Sequence, residues 1–255
     1  MVHTIARRDL DEKEALAFSG VGLTYPDGTA ALFGVELSVK RGEFVSVVGP
    51  SGCGKSTLLK LASGLVEPTE GVVSVDRNRL GYVFQDSTLL PWRKVKDNVG
   101  LLLELHKVPK AERDVRVQET LKLVGLEAFS DHHPRRLSGG MKMRVSLARS
   151  LTLDPSIFLF DEPFGALDEI TRERLNEELI SLFIDRGFAG VFVTHSIYEA
   201  VYLSTRVVVM SARPGRIVGE FEIPFSYPRG PEVRFSAEFA KIAGEVSKAL
   251  RGEIA

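Results

Sequence analysis

The chain has 255 residues, with 33 Lys and Arg against 34 Asp and Glu, which gives a formal net charge of −1 at pH 7. At roughly 150 residues per domain, this length fits one large α/β unit with room for an inserted subdomain. The apolar and charged fractions, 44% and 26%, are ordinary for a globular protein and exclude disordered and fibrous classes. The balanced charge argues against nucleic acid as a partner, because proteins that bind it usually carry a basic excess or a basic face.

One cysteine can form neither an internal disulfide nor a cysteine-based zinc site, which favours a reducing compartment. Apolar runs such as Ile157–Phe160 are far shorter than the ~18 residues needed to cross a bilayer. The first residues lack the apolar stretch of a secretory signal. We therefore expect a cytosolic chain that can still dock on a membrane protein.

The predicted elements begin after a charged, aperiodic lead-in over residues 1–16, which we expect to be flexible. Alternating apolar residues over 18–25 and 35–40, separated by turn residues, predict an antiparallel pair of strands. The compact apolar run 44–48 is typical of a strand that is buried on both faces. A glycine-rich loop follows it, and then a helical segment that ends at Gly64.

Two more short strands are predicted between residues 72 and 84. Over about 86–155 the apolar spacing becomes that of helices, which predicts an inserted helical subdomain. Strands then alternate with helices again, and an amphipathic helix that includes Phe235 is predicted near the end. This alternation predicts a mainly parallel sheet. The predicted fold is therefore α/β, with an antiparallel β region and a core formed by residues 17–85 and 156–255.

The glycine-rich loop carries a phosphate-binding motif. Residues 49–57 fit the pattern G-x-x-x-x-G-K-[ST] and are Gly49, Pro50, Ser51, Gly52, Cys53, Gly54, Lys55, Ser56 and Thr57. The glycines let successive N–H groups point at phosphate oxygens, beside the positive end of the next helix. Lys55 is expected to reach the β- and γ-phosphates, and Ser56 to ligate Mg²⁺. The sequence therefore predicts a P-loop protein that binds a nucleoside triphosphate through these residues.

Two carboxylates, Asp161 and Glu162, come directly after the apolar run 157–160. Because ligands of parallel sheets bind at the carboxyl ends of the strands, both side chains are expected to meet the nucleotide. Asp161 is predicted to serve the Mg²⁺ ion. Glu162 is predicted to be the general base, or water-orienting group, for attack on the γ-phosphate. A plain surface turn would explain the acids alone, but not the acids together with a phosphate loop.

A third string, Leu137-Ser138-Gly139-Gly140, starts a predicted helix. With it, residues 17–220 resemble the nucleotide-binding subunit of an ABC transporter, and the string is similar to the signature motif of that family. A serine hydroxyl, glycine N–H groups and a helix N-terminus make an anion site. In the family, this site closes over the γ-phosphate held by a partner subunit. The resemblance thus implies a homodimer that buries two ATP molecules at a head-to-tail seam.

The resemblance also implies roles for residues outside these strings. Tyr25 matches the aromatic residue that stacks on adenine, and Gln85 matches the glutamine that approaches Mg²⁺ and the attacking water. His195 matches the histidine that touches the γ-phosphate. Asp168 belongs to the loop that contacts the partner subunit. Together these residues imply ATP and Mg²⁺ as cofactors.

The region after Gln85 is where the family docks its membrane partner. Residues 89–92, Leu-Leu-Pro-Trp, are predicted to offer that partner an apolar surface, the alternative being that Trp92 belongs to the subdomain core. This string and residues 211–216, Ser-Ala-Arg-Pro-Gly-Arg, resemble importers of nitrate, sulfonate, taurine and related compounds. The implied partners are a transmembrane permease and a solute-binding protein, with the chain on the cytoplasmic face of the inner membrane.

The expected function is ATP hydrolysis that drives import of a small solute. Three alternatives stay open: another cargo such as a metal ion, lipid or vitamin precursor; an ABC ATPase that acts outside transport; and a regulatory nucleotide-binding module without turnover. Glu162 and His195 disfavour the last of these.

Three positions in or near the motifs carry expectations of their own. Cys53 lies near a helix N-terminus, where a thiolate is favoured, and we expect its alkylation to block ATP binding. Met141 and Met143 stand where the family usually has glutamine. Because methionine is a weak hydrogen-bonding group, a polar contact from there to the partner's nucleotide is expected to be lost.

Overall fold

The computed structural model describes residue 10 and residues 12–253. Within this part the strands, in chain order, are β1 (Glu14–Thr24), β2 (Ala30–Lys40), β3 (Phe44–Val48), β4 (Glu70–Val75), β5 (Leu80–Val83), β6 (Ile157–Asp161), β7 (Ala189–Val193), β8 (Arg206–Met210) and β9 (Ile217–Glu222). The α-helices are α1 (Lys55–Ser63), α2 (Val95–Val99), α3 (Leu101–Leu105), α4 (Lys110–Leu123), α5 (Gly139–Leu151), α6 (Glu169–Arg186), α7 (Ile197–Leu203) and α8 (Ala237–Leu250).

The antiparallel region is a three-stranded sheet in the order β2-β1-β4. β1 pairs antiparallel with β2, which confirms the predicted pair. β1 begins earlier than predicted, because Leu16 is fully buried and lies opposite Val39. Residues 14–16 therefore belong to the sheet and not to the predicted flexible lead-in. Residues 1–9 and 11 of that lead-in lie outside the described residues.

The second sheet has six strands in the order β5-β6-β7-β3-β8-β9. The first five are parallel and β9 is an antiparallel edge strand, as predicted for a mainly parallel sheet. All residues of β3, β6 and β7 are buried, as expected for strands covered on both faces. Because β3 and β6 run in the same direction, the residues that follow them emerge at one edge of the sheet.

Successive side chains of the parallel strands point into two different cores. On one face, Phe44, Phe160 and Phe192 pack with α6, α7 and α8. On the other face, Val45, Val47 and the apolar odd-numbered residues of β6 and β7 pack with α1 and the three-stranded sheet. The parallel sheet is thus the middle layer of the core.

Helices α2 to α5 follow β5 and pack around a third cluster that includes Val99, Leu121 and Val145. The first two of these helices, α2 and α3, are short and are separated by Gly100, and Leu105 at the end of α3 is 67% exposed. Phe235 lies outside its predicted helix: it is 86% exposed, and α8 begins only after its N-cap, Ser236. No helix among the described residues is long and apolar enough to span a membrane.

Candidate functional site

The phosphate loop curls between β3 and α1. Gly52 and Gly54 have φ of 74° and 112°, values that glycine adopts without strain. The buried Lys55 ammonium lies within the curl and donates to Gly49 O at 2.8 Å and to Pro50 O at 3.1 Å. The loop therefore brings a positive charge, a helix N-terminus and backbone N–H groups to one point, which is the arrangement that binds phosphate.

Asp161 and Ser56 meet at the same edge of the sheet. The Ser56 hydroxyl donates to Asp161 Oδ1 at 2.7 Å, and the Tyr82 hydroxyl is 3.4 Å from Oδ2. Burial raises the pKa of Asp161, the Ser56 hydrogen bond opposes this, and the nearby Glu162 charge adds to it. A hydroxyl oxygen and a carboxylate side by side fit Mg²⁺, which takes oxygen ligands from one or two protein groups and from substrate phosphates.

Glu162 and His195 form a second pair beside the first. His195 Nδ1 lies 3.2 Å from Glu162 Oε2. Glu162 has a φ of 46°, a strained value for this residue, and its N–H donates to Val193 O at 3.0 Å. The backbone at the end of β6 is thus held in an unusual conformation that brings the carboxylate next to the histidine.

A buried polar group behind His195 was missed by the sequence analysis. Glu199 is buried and accepts a hydrogen bond from the Thr194 hydroxyl, and that hydroxyl also accepts from the N–H of Ser196 at 3.0 Å. Burial raises the pKa of Glu199, against smaller lowering effects of Thr194, Arg172 and His195. These bonds fix the turn that carries His195. The only sign of this group in the sequence was that Glu199 stands next to the apolar residues of α7.

Tyr25 and Thr57, two of the predicted nucleotide-binding residues, contact each other. The hydroxyls of Tyr25 and Thr57 share a hydrogen bond of 3.3 Å, so the turn after β1 is joined to the first turn of α1. Gln85 is exposed and follows β5, the strand that pairs with β6. Pro50 and Ser51 are exposed on the phosphate loop.

The predicted signature string lies apart from these groups. Ser138 is the N-cap of α5, and its hydroxyl accepts from the N–H of Met141 at 3.3 Å. A Cβ on Gly139 would lie 3.0 Å from Leu167, and Gly140 is buried against Thr171 of α6. Within residues 12–253, the Ser138 hydroxyl bonds to the start of its own helix and not to the phosphate loop of its own chain.

Asp168 is exposed and caps α6 through the N–H of Thr171, at 3.0 Å. That backbone bond, with the Thr171 side chain, lowers the pKa of Asp168. Ser138, Gly139 and Asp168 are therefore exposed at helix starts that pack against each other, and they form a single surface.

The prediction of a reactive Cys53 thiol is wrong for the folded chain. The Cys53 side chain is 1% exposed and packs in the core with α1 and the three-stranded sheet. Its Sγ lies so close to Gly49 that a Cβ there would be 2.7 Å away. Cys53 therefore offers the site its backbone only.

Three other side chains can be placed as well. Trp92 is 71% exposed, so it is not the subdomain core residue that the alternative interpretation required. Met141 packs against the cluster of the helical region, and Met143 is buried against the α6 side of the core. Both methionines thus serve packing within the chain.

The chain was compared with known proteins. A family model described as "ABC transporter" matches residues 32–165. An uncharacterised ABC transporter ATP-binding protein of Methanocaldococcus jannaschii is 47% identical over 231 residues, which are 88% of this chain and 85% of that protein. An aliphatic sulfonates import ATP-binding protein of Bacillus thuringiensis is 44% identical over 76% of this chain and 79% of its own. A taurine import ATP-binding protein of Rhizobium johnstonii is 41% identical over 86% of this chain and 88% of its own.

Solved structures give the same picture. A dimeric structure of a bacterial ABC transporter cassette has a TM-score of 0.74 and 36% identity, covering 83% of this chain and 100% of the cassette. A dimeric post-hydrolysis state of the cassette, bound to ADP and phosphate, has a TM-score of 0.73 and 35% identity, with the same coverage.

Proposed function

The chain belongs to the ABC transporter family and is an ATPase, and from this premise we propose that it works as a head-to-tail homodimer that energises import of a small solute. The observation that carries the proposal is the row of groups along one sheet edge: Lys55, then Ser56 with Asp161, then Glu162 with His195. These groups match, in order, the needs of a triphosphate, its metal ion and an attacking water.

In this proposal the phosphate loop, residues 49–57, binds the triphosphate, and Tyr25 stacks on the adenine. Ser56 and Asp161, with Gln85, would hold Mg²⁺, and the ion would neutralise charge on the phosphate oxygens. Glu162 orients a water molecule and takes its proton as the water oxygen attacks the γ-phosphorus and the bond to ADP breaks. His195, held beside Glu162 at 3.2 Å, stabilises the charge on the γ-phosphate oxygens.

In this proposal each ATP site is completed by residues of the other copy of the chain. Ser138, Gly139 and Gly140, at the N-terminus of α5, contact the γ-phosphate bound by the partner, and Asp168 lies at the same seam. Two observations support this arrangement: Ser138 is exposed, and within residues 12–253 its hydroxyl bonds to its own helix and not to its own phosphate loop. The dimeric cassettes among the similar structures support it as well.

The partners follow from the surface after Gln85. Trp92 is 71% exposed together with Pro91, and such an aromatic residue is a suitable anchor for a helix of a membrane permease. We therefore place the chain at the cytoplasmic face of the membrane, bound to a permease that receives its cargo from a solute-binding protein. The sulfonate and taurine relatives support a small sulfonate as the cargo.

Glu162→Gln tests the proposed catalytic base and, in a growth assay, the proposed cargo. The variant keeps the shape of the side chain but cannot take a proton, so steady-state phosphate release should fall at least ~100-fold while ATP binding persists. A gene-deleted strain complemented with the variant should fail to grow on taurine or an alkanesulfonate as sole sulfur source, yet grow on sulfate. Normal phosphate release by the variant would show that the base is misassigned. Normal growth of the deleted strain on every sulfonate would contradict the cargo and leave the ATPase role standing.

A further inference from the structure

The loop between β8 and β9, residues 211–216, lies against the outer side of the phosphate loop. Arg213 Nε donates to Gly52 O at 3.2 Å. Gly215 lies so close to the next carbonyl that a Cβ on it would be 2.2 Å from Cys53 O. Two successive carbonyl groups of the phosphate loop therefore face this segment. The sequence string had pointed only to a family resemblance.

The direction of these carbonyls fixes the direction of the N–H groups. In a trans peptide the C=O and the N–H point to opposite sides. With Gly52 O and Cys53 O facing the 211–216 loop, the N–H groups of Cys53 and Gly54 face the opposite side. The N–H of Cys53 donates to Pro50 O at 3.2 Å, the same carbonyl that accepts from the Lys55 ammonium. The Cys53 N–H and the Lys55 ammonium are thus both on the inner side of the loop, where an anion binds.

The 211–216 loop is itself anchored to the antiparallel sheet. The N–H of Gly215 donates to Ala31 O at 2.9 Å, and Gly215 O accepts from the N–H of Phe33 at 3.1 Å. Across the loop, the Ser211 hydroxyl accepts from the N–H of Arg216 at 3.1 Å. The segment that contacts the phosphate loop is therefore held in place by hydrogen bonds to β2.

We propose that residues 213–215 are a clamp that holds the phosphate loop in its anion-binding shape, with Arg213 as the positioning residue. Arg213 acts through the Gly52 carbonyl: it keeps that oxygen outward, so that the Cys53 N–H stays on the inner side of the loop, where it donates to Pro50 O and where the phosphates would bind. Without it the Gly52–Cys53 peptide keeps only the hydrogen bond from the Cys53 N–H to Pro50 O, and nucleotide binding must then order the peptide at a cost in affinity. This inference rests on the proposed function for the identity of its ligand, a nucleoside triphosphate.

Arg213→Ala tests the clamp, with Arg216→Ala as the matched control. Both arginines are exposed on the same loop, but the Arg216 guanidinium lies over the Phe33 ring at 4.2 Å instead of on the phosphate loop. We expect R213A to raise the Kd for ATP and ADP, and the KM for ATP, about tenfold, because one charged hydrogen bond is lost. Its kcat at saturating ATP should stay within about twofold of the wild type. R216A should change neither constant.

Two more variants keep the test sharp. Arg213→Lys retains a cationic donor for Gly52 O and should recover most of the lost affinity. Gly215→Ala places a methyl group against Cys53 O and should weaken ATP binding while Arg213 is intact. Thermal unfolding of each variant shows whether the fold is retained. The clamp is disproved if R213A and R216A bind ATP equally well, if R213K is as weak as R213A, or if kcat falls with KM unchanged.

Failure of the clamp and failure of the proposed function give different results. Equal ATP affinity of R213A and the wild type, with normal hydrolysis by both, rejects the clamp alone. A wild-type chain that binds ATP without hydrolysing it rejects the proposed function, and the Kd comparison still decides the clamp.

Discussion

At the scale of single residues, Glu199 sets a pH dependence of stability. Its buried carboxyl has a raised pKa, so between the ordinary value of 4.5 and the raised value the folded chain binds a proton more tightly than the unfolded chain. The free energy of unfolding therefore decreases as the pH rises through this window. The ionised form is then buried beside Thr194, with Arg172 and His195 offsetting part of the cost.

Glu199→Gln should remove this decrease. Glutamine is neutral at every pH, and its oxygen can still accept from the Thr194 hydroxyl as the carboxylate does. We expect the melting temperature of the variant to exceed that of the wild type by about 2–4 °C at pH 8, a difference typical of about 1 kcal/mol. The gain should shrink as the pH falls toward 4.5.

The control for this prediction is Glu119→Gln on α4, where the carboxyl is exposed. Thermal scans of the three proteins from pH 4.5 to pH 8 make the measurement. A constant difference between E199Q and the wild type at every pH would show that the Glu199 carboxyl does not titrate in this range.

Site residues were predictable where they form a motif of consecutive residues. The phosphate loop and the Asp161–Glu162 pair are such strings, and Ser56 of the first donates to Asp161 of the second at 2.7 Å. Arg213 was not predictable as part of the site, because it stands 161 residues from Gly52 and its contact depends on the tertiary fold. The prediction for Cys53 failed for a related reason: the helix N-terminus acts on the backbone there, whereas packing turns the side chain inward.

At the scale of elements, Ser138 combines two roles that one variant can separate. It caps α5, and in the proposed dimer it also contacts the partner's nucleotide. Ser236 caps α8 in the same way, by accepting from the N–H of Phe239 at 3.1 Å. Loss of such a cap costs about 1 kcal/mol, so Ser138→Ala and Ser236→Ala should each lower the melting temperature by about 2–4 °C.

Only Ser138→Ala should also reduce ATP hydrolysis, by at least ~10-fold, since Ser236 lies outside the proposed seam. Phosphate release at a temperature well below both melting transitions makes the comparison. Equal hydrolysis by the two variants would leave Ser138 as a helix cap and nothing more.

The elements themselves were predicted unequally. The β1–β2 pair was predicted because turn residues separate two alternating runs, and the structure has it. Its start was placed too late, because irregular register along β1 obscures the alternation at Ala15 and Leu16. The exposure of Phe235 escaped prediction, because apolar spacing alone does not show at which residue a helix begins.

At the scale of the molecule, the mainly parallel sheet was predictable from the alternation of short strands with helices. The order β5-β6-β7-β3-β8-β9 was not, because the pattern along the chain does not say which strands become neighbours. The separation of a three-stranded sheet from the parallel one was likewise beyond the sequence pattern.

The proposed dimer makes turnover depend on protein concentration. If each site needs Ser138 of a second copy, a monomer holds two incomplete sites, and mass action governs how many complete ones exist. Well below the dimer dissociation constant, turnover per chain should then fall about tenfold for each tenfold dilution at saturating ATP. Glu162→Gln, which binds ATP without consuming it, should sediment as a dimer with ATP at concentrations where ADP leaves it monomeric. Turnover per chain that stays constant down to nanomolar protein, with sedimentation as a monomer in ATP, would mean that one chain completes its own site.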